Sequence, residues 1–322
     1  MNINEIAELA GVSRATVSRY LNDGYVSAEK KGKIRKVIEE TGYTPSTQAK
    51  MLRTKKTGLI GVIIPKINSD SISRIVAGIG DVLHGEDYQL LLATTNNDEK
   101  EELEYLHTFQ NNNVDGVILC GTIFEKEHKK LLKEYQVPIV IVGQYYKGEA
   151  CVYHDDCHAA KEVTRLLTNA CEKIAYIGVT PKDKAVGTER RKGFLSALAE
   201  KGLEEAAREQ VHFRMEDGYK AMGEILKEYP EVDGVFCATD HIAIGALQCL
   251  KEKNKHIRVV GMGDSTTAML VEPALSSVHF YYKESGKEAS RVLLDMIKNQ
   301  VKMKKEIKMG YEIVERKSTG EW

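Results

Sequence analysis

The sequence predicts an α/β protein in which a small helical module with a helix-turn-helix is followed by a two-half clamshell with parallel sheets. Three observations carry this reading. Residues 3–22 hold two short amphipathic helical stretches around a glycine turn. The run Gly58 to Pro65 (GLIGVIIP) is continuously apolar, as in a strand buried on both faces. After it, strand-like and helix-like segments alternate through two similar series, the pattern of parallel sheets with crossover helices.

The first helix is expected over Ile3 to Ala10. Asn2 and Glu5 are spaced as a capping box, and Ile3, Ile6, Ala7 and Leu9 are read as facing inward. Gly11 and Val12 make the turn. Ser13 caps a second helix in which Val17 and Leu21 face the core, leaving Arg14, Ala15, Ser18, Arg19 and Asn22 outward. A third helix begins at Ser27 or Ala28, closes the core with Ile34, Val37 and Ile38, and ends at Gly42. Lys30, Lys31, Lys33 and Lys36 lie toward phosphate or plain water. Residues 1–57 hold 11 Lys and Arg against 6 Asp and Glu, whereas the remainder holds 35 against 41. A basic module on an acidic body fits a polyanion-binding head.

The stretch NINEIAELAGVSRATVSRYLN resembles the headpiece of the lactose/galactose repressor family of bacterial transcription regulators. The bland alternative is a helical hairpin that presents arginines to water. The resemblance implies that the second helix enters a DNA major groove. Arg14 and Ala15 would meet bases, Arg19 a base or phosphate, and Ser13, Ser18 and Asn22 mostly the backbone. It also implies that residues 43–55 form a hinge that turns helical on the operator. There Leu52, with Ala49 beside it, would wedge into a minor-groove base step; the plainer reading is a linker with an exposed leucine.

From Gly58 the first series runs as helix Ser71 to His84, strand Gln89 to Thr94, helix Asp98 to Asn111, strand Gly116 to Cys120, helix Glu125 to Tyr135 and strand Pro138 to Val142. The second runs as segment Cys151 to His154, helix Ala159 to Leu167, strand Lys173 to Gly178, helix Thr188 to Lys201, strand Val211 to Arg214, helix Gly218 to Glu228, strand Gly234 to Ala238, helix Ile242 to Lys251 and strand Arg258 to Met262. The family's periplasmic-binding-protein-like core implies a return crossing near His279 to Lys283. Helix Glu284 to Ile297 would then complete the first half, and a final strand near Ile307 to Val314 the second. The expected domains are 1–57 for headpiece and hinge and 58–322 for effector binding and dimerisation. Within the latter, one half takes about 58–153 and 281–300, the other about 154–280 and 301–322.

Ligands of open parallel sheets bind beyond the carboxyl ends of the strands. Lys66 and Ser71 follow the first strand, and Tyr145 follows the fourth. Arg190-Arg191-Lys192-Gly193-Phe194 matches the family pattern R-x-x-G-[FW], which makes Arg190 the implied effector contact; a guanidinium fork suits sugar hydroxyls or phosphate. Asp240 stands in the A-T-D position, read chiefly as a helix cap. Phe280, with Tyr146, Tyr281 and Tyr282, offers flat surfaces for a pyranose or simply core. The family's V-G-[FY]-[DN] appears as Val260-Gly261-Met262-Gly263, with Asp264 as the candidate to take over, and Phe280 replaces a frequent glutamine. These departures resemble the trehalose-repressor branch. They imply a trehalose 6-phosphate-like effector with Lys66 and Arg190 on its phosphate, against a sucrose-like disaccharide.

Cys151 to His158 (CVYHDDCH) contains possible metal ligands, but strand alternation sends Cys151 and Tyr153 to one face and His154 to the other, and Asp156 is placed to cap a helix. No metal and no cofactor is expected. Gly78 and Gly80 lie inside a helical pattern without a dinucleotide fingerprint, and neither a P-loop nor a nucleophile elbow is present, so an enzyme is not expected. The six cysteines lack C-x-x-C spacing and read as reduced thiols. With no apolar span or signal-peptide order, the reading is cytoplasmic. The resemblance implies a homodimer on a near-palindromic operator, released by a sugar or sugar-phosphate effector; no heptad tail suggests a tetramer. The rivals are a corepressor- or phosphocarrier-dependent regulator, a sugar-binding module, and an enzyme.

Overall fold

In the computed structural model, which describes residues 1–22, 24–43 and 56–320, the chain divides into two compact units, Met1–Gly58 and Leu59–Trp322. The hinge positions Ala49 and Leu52 lie outside the described residues. The first unit contains α1 (Ile3–Leu9), α2 (Arg14–Tyr20) and α3 (Ala28–Thr41). At α1 the Asn2 side chain accepts from the Asn4 and Glu5 amides while Glu5 accepts from the Asn2 amide, so three free donors at the helix start are satisfied within one box. Gly11 turns the chain with φ +62°, and Gly42 ends α3 at φ +63°. Ile6, Ala7, Ala10, Val17 and Ile34 form the core, with Ile3, Leu21, Val37 and Ile38 packed against it. Leu9, expected inside, is 60 % exposed. Helix α1 is only two turns long, and its buried stripe runs through Ile3, Ile6, Ala7 and Ala10, which leaves position 9 on the opposite side.

In the second unit the strands are β1 (Leu59–Ile64), β2 (Gln89–Thr94), β3 (Gly116–Leu119), β4 (Ile139–Val142) and β5 (Ala150–His154), followed by β6 (Ile174–Gly178), β7 (Glu205–Gln210), β8 (Gly234–Cys237) and β9 (Arg258–Val260). Between and after them lie α4 (Asp70–His84), α5 (Glu99–Asn111), α6 (Lys126–Glu134), α7 (Asp156–Thr168), α8 (Arg190–Glu200), α9 (Met215–Glu228), α10 (Asp240–Glu252) and α11 (Thr266–Leu270). The chain then adds β10 (Ser277–Phe280), α12 (Tyr282–Asn299), β11 (Glu306–Met309) and β12 (Tyr311–Val314).

The first parallel sheet has the order β11-β5-β4-β3-β1-β2 and the second β7-β6-β8-β9; β10 and β12 form an antiparallel pair. The expected final strand near 307–314 is therefore two strands. Gly310 divides them, so that Ile307 pairs with Val152 in the first sheet and Ile313 with Val278. The second half's expected strand Val211 to Arg214 is displaced to Glu205–Gln210. This segment is an edge strand; its charged, half-exposed sequence EAAREQ carries little strand signal, whereas Val211 and Phe213 just after it draw the assignment downstream.

Glycines let the helices that brace the two sheets approach closely. A Cβ on Gly78 of α4 would lie 1.9 Å from the Lys283 carbonyl oxygen, and one on Gly286 of α12 would lie 2.1 Å from that of Ile75. This backbone contact holds α12 against α4, completing the first half as the return crossing requires. Five of the six cysteine thiols are buried, Cys157 is half-buried, and all are free. Among the described residues no helix is long and apolar enough to cross a membrane.

Candidate functional site

In the first unit, the Ser13 hydroxyl accepts from the Thr16 amide at 3.2 Å, fixing the start of α2. Arg14, Ala15, Arg19 and Asn22 are exposed and Ser18 is half-buried. Asn22 folds back so that its amide donates to the Ser18 carbonyl. Neither Arg14 nor Arg19 has an ion pair among the described residues, whereas Lys33 and Lys36 of α3 are engaged by Glu29 and Glu40. Sequence reasoning missed Tyr25, which is 90 % exposed just beyond α2.

In the second unit a cavity of about 690 Å³ opens where the carboxyl ends of both sheets converge. Such a volume accommodates a small organic ligand. Segments after β1, β2, β3 and β4 line it from the first sheet, those after β6, β7, β8 and β9 from the second, and the end of β5 from below. Of the sequence-derived effector residues, Lys66, Ser71, Arg190 and Asp240 line it, as does Tyr282 among the aromatic candidates. Tyr145, Asp264 and Phe280 do not. Tyr145 is 46 % exposed and packs edge-on against Tyr153. The carboxylate of Asp264 is taken by Arg316 (2.6 Å) and His279 (2.8 Å). Phe280 is fully buried beneath the cavity, with the Arg190 guanidinium 5.2 Å from its ring centre.

Arg190 is not a loose surface arginine. Its Nε donates to Asp156 Oδ1 and its Nη1 to the Ala238 carbonyl, both at 2.7 Å, and both ionic side chains are at most 6 % exposed. Burial is the largest influence and opposes the guanidinium charge, but Asp156 and Tyr282 together outweigh it and raise the pKa. Asp156 thus forms a buried pair instead of capping α7; Asp155 is the cap, accepting from the His158 amide. Asp240 likewise does not cap α10, a role held by Thr239. Its carboxylate accepts from the Ser265 amide and the Ser277 hydroxyl, each at 2.6 Å, and so fixes the Met262–Ser265 loop.

Arg74, His154 and Phe213 line the cavity without having been singled out in the sequence as effector contacts, whereas Asp183 falls in the stretch Thr180 to Arg190 that the strand-end rule selects. Arg74, one turn into α4, donates to Asp70 and to the carbonyls of Gly263 and Asp264 at 3.0 Å, connecting the two halves. His154, 6 % exposed, has a buried Nε2 without a hydrogen-bond partner, and burial followed by the Arg190 charge pushes its pKa down to about 3. The imidazole is neutral there and available to a ligand hydroxyl. Asp183, capping the π-helical turn Lys184–Glu189, is raised to about 6 by burial. Phe213 supplies an aromatic wall that Tyr145 does not. His154 and Asp156 sit at the carboxyl end of β5, so the strand-end rule already pointed to them. Arg74 on one side and Phe213 with Arg214 on the other come to line one cavity only when the halves meet. Among the described residues no group of three or more His, Cys, Asp or Glu is arranged to hold a metal.

A helix-turn-helix unit followed in the chain by two parallel sheets around a ligand-sized cavity defines the class: a DNA-binding-type head with a periplasmic-binding-protein-like core. Residues 2–46 match the pattern of bacterial regulatory proteins, lacI family, and residues 163–319 that of a periplasmic binding protein-like domain. The chain is 33 % identical over 304 residues to the sucrose operon repressor of Staphylococcus xylosus, covering 93 % of this chain and 95 % of that one. It is 29 % identical to the ribose operon repressor of Bacillus subtilis, covering 98 % of each. The chain belongs to the lacI family of bacterial regulatory proteins. Among solved structures it resembles a transcriptional regulator CelR–cellobiose complex (TM-score 0.75, 27 % identity, 99 % of each chain). It shares its fold with the lac repressor dimer bound to operator and the anti-inducer ONPF (TM-score 0.89, 21 % identity, 99 % of each chain).

Proposed function

We propose that this protein is a cytoplasmic, homodimeric repressor of a carbohydrate-utilisation operon, released from a near-palindromic operator by a sugar or sugar-phosphate effector. The observation that carries the reading is the pairing of an unengaged arginine face on α2 with a cavity at the strand ends of a family member. Arg14 and Ala15 read bases, Arg19 a base or phosphate, and Ser13, Ser18 and Asn22 position the helix on the backbone. Ala49 and Leu52 act at the minor groove as the family resemblance implies. Effector selection falls to Lys66, Ser71, Arg190 and Asp240, joined by His154; Asp264 and Phe280 act from behind the lining.

Exposed Leu91 and Leu92 on edge strand β2, and Met269 and Leu270 on α11, are apolar surface suited to a second copy, which a two-fold operator requires. Effector binding shifts the equilibrium between the halves by its differential affinity for two states, lowering operator affinity.

The test is selection from random duplexes followed by sugar challenge. A recovered palindrome, lost with Arg14→Ala and released by a sugar, supports the reading. Recovery of none removes the operator role. Tightening of the operator complex by sugar would convert the effector to a corepressor.

A further inference from the structure

The connection from β3 to α6, Cys120 to Glu125, forms one wall of the cavity, with Cys120, Gly121 and Thr122 in the lining. From the cavity side it is held by Gln144, itself buried, whose Nε2 donates to the carbonyls of Gly121 (2.7 Å) and Thr122 (2.9 Å). Behind the wall, outside the lining, lies a second pair. Glu102 of α5 and His128 of α6 are both buried, and Glu102 Oε1 faces His128 Nε2 at 3.3 Å. Neither atom makes an aligned hydrogen bond. The Glu125 amide donates to His128 Nδ1 at 3.3 Å, so the proton of the neutral ring sits on Nε2, toward the carboxyl group. A Cβ on Gly121 would lie 3.3 Å from Glu102 Oε1 and 2.7 Å from Phe124 Cζ, which places both side chains directly against the wall.

The groups that act on this pair are mostly acidic. Glu99 stands on α5 with Glu102, Cys120 follows β3, and Glu125 and Glu127 open α6. Lys182, reaching over from the second half, is paired with Glu125 at 3.0 Å. Burial, then Glu99, raises Glu102 to about 8, and burial lowers His128 against the pull of Glu99, Glu125 and Glu127. At neutral pH two uncharged groups therefore fill the space behind the wall. A carboxylate in the same place would be desolvated beside acidic neighbours, and water reaches it only if the wall lifts.

We propose that Glu102 and His128 are positioning residues for the cavity wall: they seat the Cys120–Glu125 connection, and the seat loosens when Glu102 releases its proton. His128 holds the Glu125 amide, and through the Glu125 side chain the connection reaches Lys182 of the other half. The readiness of the cavity for an effector is thereby tied to pH. The inference rests on the effector reading for the use of the cavity, but the action of the pair on the wall is measured without a sugar. Below about pH 4.5 the carboxyl group is neutral whether the wall is seated or lifted. Between there and about 8 only the lifted wall lets the proton go, so lifting is favoured by about tenfold per pH unit, and above 8 the effect levels off.

The test is alkylation of the full chain by N-ethylmaleimide from pH 6 to pH 7.5, with each thiol followed by peptide mass spectrometry. Cys120, 4 % exposed at the base of the wall, reports its lifting; Cys237, fully buried on β8, reports global unfolding. Cys120 should label faster than Cys237. The ratio of its rate in the parent to that in Glu102→Gln, in which the pH dependence of the reagent cancels, should rise by about tenfold or more across this range. In His128→Leu, Cys120 should label about fivefold faster than in the parent at every pH, because the Glu125 amide loses its acceptor. Circular dichroism melting checks that each variant is folded, and Glu102→Gln alone decides the matter if His128→Leu is not. A flat ratio, Cys120 labelling no faster than Cys237, or an unchanged rate in a folded His128→Leu would overturn the proposal while leaving the effector reading intact. A cavity that binds no sugar would remove the effector reading and leave the response of Cys120 to pH as it is.

Discussion

The buried Arg190–Asp156 pair gives the sharpest prediction. In Arg190→Met the side-chain volume is largely retained, but Asp156, 5 % exposed, loses its counter-cation at 2.7 Å and the Ala238 carbonyl loses its donor. Removing one partner of a buried ion pair costs about 3–5 kcal/mol, and the lost carbonyl hydrogen bond adds about 1 kcal/mol. Against a total stability of about 5–15 kcal/mol this is a large loss. The remaining penalty depends on pH in a definite direction. Burial already holds the Asp156 pKa up against Arg190; with Arg190 gone, burial, Asp155 and Glu189 all push the same way, and the folded-state pKa moves further above the unfolded value of about 3.9. The folded variant then binds the extra proton, so its penalty is complete above the raised pKa and fades as pH falls toward 4. The assay is urea unfolding followed by circular dichroism, from pH 5 to pH 8. The double variant Arg190→Met/Asp156→Leu should recover most of the loss, because replacing both charges removes the orphan. A single variant within about 1 kcal/mol of the parent, or a double variant whose loss equals the sum of two singles, would refute the reasoning. It follows that lost sugar binding in Arg190→Ala reports the fold of the cavity as well as ligand contact.

Three further outcomes are expected. Burial and then Glu99 raise Glu102 to about 8 from an ordinary 4.5, so the folded state holds a proton the unfolded chain releases. Relative to Glu102→Gln, stability should therefore fall by about 1.4 kcal/mol per pH unit between pH 6 and 7.5, read as the difference between the two proteins so that the histidines lowered by burial cancel; parallel slopes in the two would count against it. Gly78→Ala should destabilise by at least about 1–3 kcal/mol because its methyl group meets the Lys283 backbone, whereas Gly80→Ala, with open space, should stabilise by about 0.5–1 kcal/mol; urea midpoints that do not separate would contradict the helix contact. Ser13→Ala should cost the α2 start about 1 kcal/mol, read as a lower melting point of the headpiece helices, and an unchanged transition would deny the cap its role.

What the sequence determined by itself was local or periodic. The Asn2/Glu5 box, the Ser13 cap, and the Gly11 and Gly42 turns involve residues within a few positions of one another, so their chemistry is written in spacing. The buried strands β1, β3, β4 and β6 are apolar throughout, and the order of strand and helix then directs attention to their carboxyl ends, where the cavity lies. The tertiary structure decided whatever depends on which distant elements meet. Leu9 is apolar yet exposed because a two-turn helix has one buried stripe, set by the helices it touches. Strand β7 is charged because only one edge of it is paired, and β11 and β12, on either side of Gly310, pair with different strands. Asp156 and Asp240 have the sequence positions of helix caps, but desolvation compels each to take the donors that folding brings closest, Arg190 in one case and Ser265 with Ser277 in the other. Lys66 and Arg214 are 148 residues apart in the chain and become one electrostatic feature only where the two sheets face each other, since charge interacts through space while spacing records only the chain.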